Sequence, residues 1–122
     1  MEFDHACMIR GDGGKAIRAV LERICNKWTL LIVATLDRST VRFTELQQQI
    51  PGISQRMLTL TLRNLERDGL VVRTVHAEVP PRVEYALTEM GRSLLAPALA
   101  LAGWAMEHVP RIEASRVAYE AR

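Results

Sequence analysis

Ile53-Ser54-Gln55-Arg56-Met57-Leu58-Thr59-Leu60-Thr61-Leu62-Arg63-Asn64-Leu65-Glu66-Arg67-Asp68-Gly69-Leu70 reads as one amphipathic helix with a marked start and stop. Ser54 is a good N-cap, because its hydroxyl can accept a hydrogen bond from an orphan amide of the first turn. Gly69 can take the left-handed conformation that closes a helix. Leu58, Leu62 and Leu65 recur at helical spacing and define a buried stripe. Arg56, Thr59, Leu60, Arg63 and Arg67 fall on the opposite side, with Glu66 and Asp68 at its edges. Three arginines and a hydroxyl on a free helix face suit the DNA major groove, where Arg pairs bidentately with guanine and also reaches phosphates. An ordinary solvated helix is the alternative.

The segments before it complete a motif. Phe43, Leu46 and Ile50 face inward from a short helix over residues 43–50, and Gln47, Gln48 and Gln49 point mostly outward. Pro51-Gly52 then breaks the chain. A short helix, a tight turn and a capped helix form a helix-turn-helix with the second helix in the reading position. Ahead of it, Ile17, Val20, Leu21 and Ile24 give the helical pattern over residues 15–25. Residues 28–36 are almost wholly apolar, a buried helix or a buried strand; their Leu and Ala favour helix, and Asp37-Arg38-Ser39 stops it.

After Leu70 the period changes. Val71-Val72-Arg73-Thr74-Val75-His76 is strand-like, and Val79-Pro80-Pro81-Arg82 cannot continue it, because two prolines remove two amide donors. Val83, Tyr85 and Leu87 alternate with Glu84 and Ala86 as a return strand. A hairpin directly after a helix-turn-helix makes a winged helix, and Arg82 near its tip can reach a phosphate or the minor groove. Thr88 caps a last long helix over residues 88–109, in which Pro97 should introduce a kink or a split. That helix is apolar on more than one stripe, so it needs more cover than one small domain offers, and a second subunit is expected to supply it. Residues 110–122 read as a polar tail or an extension of the helix.

The 122 residues suit one domain, mainly α with a small β-hairpin, and 48% hydrophobic residues suffice for a core. No apolar run spans a bilayer and no signal sequence is seen, so a cytoplasmic protein with no membrane partner is expected. The net charge of +2 means that any affinity for nucleic acid must come from clustered charge. Residues 1–14, with Gly11, Gly13 and Gly14, read as a flexible lead-in that lacks the context of a nucleotide-binding loop. Two cysteines and scattered His5, His76 and His108 make neither a disulfide scaffold nor a metal site. No nucleophile with a base partner appears, so neither an enzyme nor a cofactor is implied. A winged helix used only for protein–protein contact would carry an apolar or acidic outer face, against which Arg56, Arg63 and Arg67 argue.

The chain resembles the HxlR-type regulators, winged helix-turn-helix proteins related to the MarR group. The matching motifs are Lys27-Trp28-Thr29-Leu30-Leu31-Ile32, Arg42-Phe43-Thr44-Glu45-Leu46, Ile50-Pro51-Gly52-Ile53-Ser54-Gln55, Leu58-Thr59, Leu62 through Leu70, Val79-Pro80-Pro81-Arg82-Val83-Glu84-Tyr85 and Leu87-Thr88-Glu89-Met90-Gly91-Arg92. They span roughly residues 15–108. The resemblance implies a bacterial, homodimeric regulator of transcription, by family habit a repressor, with N- and C-terminal helices forming much of the dimer interface. Leu94, Leu95, Leu99, Leu101, Trp104 and Met106 are the interface residues expected on the last helix. Ser54, Gln55, Arg56, Thr59, Leu60, Arg63, Arg67 and Arg82 are the expected contacts to double-stranded DNA. Gln55 can read adenine or bind phosphate, and Leu60 either packs on a thymine methyl or is a tolerated surface leucine. Some members sense oxidants or electrophiles through a cysteine near the N-terminus, a place held here by Cys7. His5, Arg10 and Lys15 lie near Cys7 in sequence, and cations favour the reactive thiolate. Cys25 is a small packing residue or the thiol that resolves an oxidised Cys7. Control by a small-molecule ligand without cysteine sensing is the alternative. The chain departs from the family in having Cys25-Asn26 before Lys27-Trp28-Thr29, where two glycines are usual. Met8-Ile9 follows Cys7 in place of proline. Leu60 stands at an outer helix position where many members are polar, which suggests a different base preference.

Overall fold

The computed structural model describes residues 10–37 and 39–122. Its elements are α1 (Asp12–Ile24), α2 (Lys27–Thr35), β1 (Val41–Arg42), α3 (Phe43–Gln49), α4 (Gln55–Arg67), β2 (Val71–His76), β3 (Arg82–Leu87) and α5 (Glu89–Glu120). Three helices, α2 to α4, enclose the core, a small antiparallel sheet closes one side, and α5 leaves from the sheet. This is a winged helix-turn-helix.

The apolar run from Trp28 to Leu36 is a helix, as its Leu and Ala content favours. Asn26 caps it by accepting a hydrogen bond from the Thr29 amide at 2.9 Å. Ile32 and Val33 within it, and Leu36 just past its end, are fully buried. Leu46 and Ile50 from α3, and Leu58, Leu62 and Leu65 from α4, pack around them. Leu70, Val71, Tyr85 and Leu87 complete the core from the sheet side.

The sheet has the order β1-β3-β2. β1 was not visible in the sequence: it is two residues long, too short for any alternation to show. It adds a third strand to the expected hairpin by pairing Val41 with Tyr85 and Arg42 with Glu84. β2 and β3 pair in register from Val71–Leu87 to His76–Arg82, and the proline segment forms the connection between them.

Two further differences concern the helices. α1 begins at Asp12, so Gly13 and Gly14 lie in its first turn. Asp12 supplies the negative charge that a helix N-terminus favours. Residues 1–9, the rest of the expected lead-in, fall outside the described residues, and Cys7 with them. Pro97 does not split the last helix: α5 runs unbroken through Pro97 and Pro110 to Glu120. Each proline forfeits one hydrogen bond, a cost of about 3 kcal/mol in an isolated helix. Good helix formers, Ala96, Ala98, Leu99 and Ala100, surround Pro97, and Ala98 is buried against the rest of the chain.

Among the described residues, no helix is long and apolar enough to cross a membrane.

Candidate nucleic-acid interface

The α4 helix is set by local chemistry at both ends. Ser54 Oγ accepts from the Met57 amide at 3.0 Å. At the other end Gly69 has φ +80°, and the Leu70 amide donates back to the Leu65 carbonyl at 2.9 Å. A side chain at Gly69 would also approach Met90, whose terminal methyl would lie 3.1 Å from an added Cβ. Leu58, Leu62, Leu65 and Thr61 are buried, and this fixes the rotation of the helix.

That rotation presents Gln55, Arg56, Thr59, Leu60 and Arg63 together around one open concavity on the protein surface. Arg56, Arg63 and Arg67 make no ion pair with any described residue. An unpaired guanidinium keeps its five donors available for phosphate or a base edge. Leu60 stands 52% exposed in the middle of this set, an apolar group framed by cations. Thr59 Oγ1 donates to the Gln55 carbonyl at 2.8 Å. Its proton is spent within the helix, so toward a ligand Thr59 offers only acceptor lone pairs and a methyl group. Ser54 is the reverse: its oxygen caps the helix, and its O–H remains to donate.

Arg82 stands apart from this set. It opens β3 opposite His76. Its Nε lies 2.7 Å from Glu84 Oε1, an ion contact rather than an aligned hydrogen bond, since the buried Nε–H finds no acceptor along its axis. Its Nη2 is 3.5 Å from Glu78, and His76 Nε2 shares Glu84 at 3.2 Å. The side chain therefore lies back along the hairpin, held by two carboxylates. Both partners are close in sequence, Glu84 two residues on along the same face of β3 and Glu78 four residues back across the turn, and they were overlooked there.

Arg73 was missed. It pairs across the ladder with buried Tyr85, on the sheet face that looks toward α4. With Thr59, Arg63 and Glu66 it lines a second groove between α4 and the hairpin. The signal was present: in the alternation of β2, Arg73 shares a face with core residue Val71, an unusual place for a charge.

The residues expected at a subunit interface divide in two. Leu94 and Leu95 are half-buried and pack against the chain's own core. Leu99, Leu101, Trp104 and Met106 lie beyond Ala98 and are 46–78% exposed. On α1, Val20 and Leu21 are also exposed. Cys25 is exposed at the junction of α1 and α2, with a free thiol.

The model of the HxlR-like helix-turn-helix family matches residues 13–113. An uncharacterized HTH-type transcriptional regulator from Methanothermobacter thermautotrophicus is 47% identical over 89 residues, 73% of this chain and 68% of the relative. The solved ytfH transcriptional regulator from Salmonella typhimurium superposes with a TM-score of 0.77 at 37% identity, covering 82% of this chain and 89% of that one. The redox regulator HypR in its reduced form gives 0.74 at 39% identity, covering 81% and 98%. On its motifs, its fold and the unpaired arginines of α4, this chain belongs to the HxlR-like helix-turn-helix family of DNA-binding transcriptional regulators.

Proposed function

We propose that this regulator works in the cytoplasm as a homodimer, that it represses transcription from a roughly palindromic operator, and that it answers to oxidants or electrophiles. The observation that carries the reading is the outer face of α4, where Arg56, Arg63 and Arg67 lack any ion-pair partner among the described residues. Two such helices related by a two-fold axis would enter successive major grooves about 34 Å apart. Ser54, Gln55, Arg56, Thr59, Leu60, Arg63 and Arg67 are the contacts proposed on α4. Arg82 can join them at the wing only by leaving Glu84 and Glu78.

The proposed second subunit is supported by α5. Past Ala98 the helix continues for about 30 Å with none of its side chains buried. An apolar helix of that length needs a covering partner. The exposed Val20 and Leu21 of α1 extend the same surface.

The redox arm rests on the sequence environment of Cys7 and on the similarity to HypR, a protein described as a redox regulator in reduced and oxidised forms. Cys7 is the proposed sensing thiolate, and exposed Cys25 the proposed resolving thiol. A second reading, control by a small ligand, is favoured by one feature. A cavity of about 320 Å3 between α1 and α5 is walled by Val20, Ile24, Leu70, Met90, Leu94 and Pro97. Its rim carries the loose Arg23–Asp68 pair at 3.8 Å. That volume is at the small end of ligand pockets.

The test is selection of the operator from random duplexes, followed by titration of reduced and diamide-treated protein. Palindromic enrichment, with binding lost on oxidation and restored by thiol, is expected. Neutralising about eight phosphates should give a slope of about −7 in log affinity against log salt. A slope near zero would rule out this mode of binding. A Cys7→Ser protein that still releases DNA fully under diamide would remove Cys7 as the sensor and favour the ligand cavity.

A further inference from the structure

The groove between α4 and the hairpin has about 400 Å3 of open space. Phe43, Val83 and Tyr85 form its apolar floor, and Arg63 and Arg73 are its cations. Glu66 is its one carboxylate, and it makes no ion pair with either arginine. Two guanidinium groups therefore share a concave site with one carboxylate that pairs with neither, which leaves a net positive charge. Low-polarity walls strengthen the field of such a pair toward an anion.

The groove is continuous with the reading surface. Thr59 and Arg63 line both concavities. Arg63 follows Arg56 by seven residues on the same helix face, a rise of about 10 Å. The major groove is about 12 Å wide and 8.5 Å deep. In the helix-turn-helix arrangement the N-terminal residues of the second helix meet the base edges. With Arg56 at the groove floor, Arg63 stands at its lip, where the sugar–phosphate strand runs.

We propose that this second groove seats one backbone phosphate of the bound DNA between Arg63 and Arg73. Arg63 and Arg73 are then sequence-independent contacts, and base reading falls to Arg56, Thr59 and Leu60. The inference rests on the DNA-binding reading and assigns the roles within it. Glu66 is the opposing charge in the site and weakens the phosphate contact on every sequence alike.

The test uses the full chain, the selected operator and a scrambled duplex, with affinities measured across a salt series. Arg73→Ala should weaken both duplexes several-fold and by the same factor. It should also make the salt slope shallower by about 0.9 for each protomer bound. Arg73→Lys, which keeps the charge, should restore the slope. Glu66→Gln should strengthen both complexes equally. Replacing operator phosphates one at a time by neutral methylphosphonate should reveal one position per half-site that weakens the natural protein and leaves Arg73→Ala unaffected. Arg56→Ala should instead erase the difference between operator and scrambled duplex. A salt slope unchanged in Arg73→Ala would overturn the proposal, as would a loss confined to the operator in Arg63→Ala or Arg73→Ala. Failure of the natural protein to bind either duplex would overturn the DNA reading beneath it. Binding by the natural protein together with a silent Arg73 would overturn the phosphate groove alone.

Discussion

Thr88 and Gly69 are joined by a 2.6 Å hydrogen bond in which the Thr88 hydroxyl donates to the Gly69 carbonyl. The same oxygen accepts from the Gly91 amide at 3.1 Å, and the Thr88 amide donates to the Leu70 carbonyl at 3.0 Å. One residue thus caps α5 and fixes that helix to the turn that ends α4. The proposed subunit interface and the proposed DNA-reading helix meet at this point. Thr88→Ala removes the cap and leaves the Gly69 carbonyl, in a half-buried site, without a partner. The expected loss is about 1–3 kcal/mol of folding stability, measured by urea unfolding. Thr88→Ser should keep most of it. Equal stability of Thr88→Ala and the natural protein would show that the joint is incidental.

Gly91 lies in the same contact. A Cβ added there would collide with the Leu70 carbonyl oxygen and fall 3.2 Å from the Leu87 side chain. The obstruction is backbone and cannot rotate away, so α5 must lift off the turn. Gly91→Ala should cost about 3 kcal/mol, despite the better helix propensity of alanine. Gly103 has nothing within 4 Å of its added Cβ. Gly103→Ala is the matched control and should be neutral or slightly stabilising if that face stays open in the assembled protein. A stable Gly91→Ala with unchanged unfolding midpoint would contradict this close packing.

α4 was legible almost residue by residue because its signals are local. Ser54 and Gly69 mark its ends, and Leu58, Leu62 and Leu65 mark its buried side. Asn26 shows the same logic: its capping of α2 needs only its own side chain and the Thr29 amide. What escaped was set by contacts distant in sequence. Val41 and Arg42 are a strand only because Tyr85 and Glu84 lie beside them. Arg82 is a different case: Glu84 and Glu78 lie only two and four residues away, and the alternation of β3 by itself puts Arg82 and Glu84 on one face. Leu94 and Leu95 looked like their exposed neighbours Leu99 and Leu101 until the seating of α5 on the Gly69–Leu70 turn placed them over the core. Of the two outcomes expected at Pro97, a kink or a split, the unbroken α5 excludes the split, because the burial of Ala98 and the helix formers around it outweigh one missing hydrogen bond.

Thr59 carries a prediction about base identity. With its proton committed to the Gln55 carbonyl, its oxygen can only accept, so the base it meets should present an amine, adenine N6 or cytosine N4. Thr59→Val keeps the shape and the methyl group and removes the acceptor. It should lower discrimination at one base pair of each half-site by about 1–3 kcal/mol and leave the others unchanged. Measurement is by competition among single-base variants of the selected operator. Unchanged discrimination in Thr59→Val would mean that the methyl group, packed against a thymine, is what this residue offers.

Trp104 decides the last prediction. It is 53% exposed and stacks on His108 with ring centroids 4.5 Å apart, while His108 Nδ1 lies 2.8 Å from the Trp104 carbonyl oxygen. The stack holds the indole in one orientation on the helix face that also carries Leu101, one turn back. In a two-fold dimer this patch would meet its own copy, and every change in it acts twice. Trp104→Glu places a charge in each copy and should shift the protein from dimer to monomer in sedimentation at micromolar concentration. Binding to the palindrome should fall far more than binding to a single half-site, because linkage of the two reading helices is lost. The folded core should survive, since Trp104 lies outside it. A Trp104→Glu protein that stays dimeric would move the interface elsewhere, most directly to Val20 and Leu21 of α1.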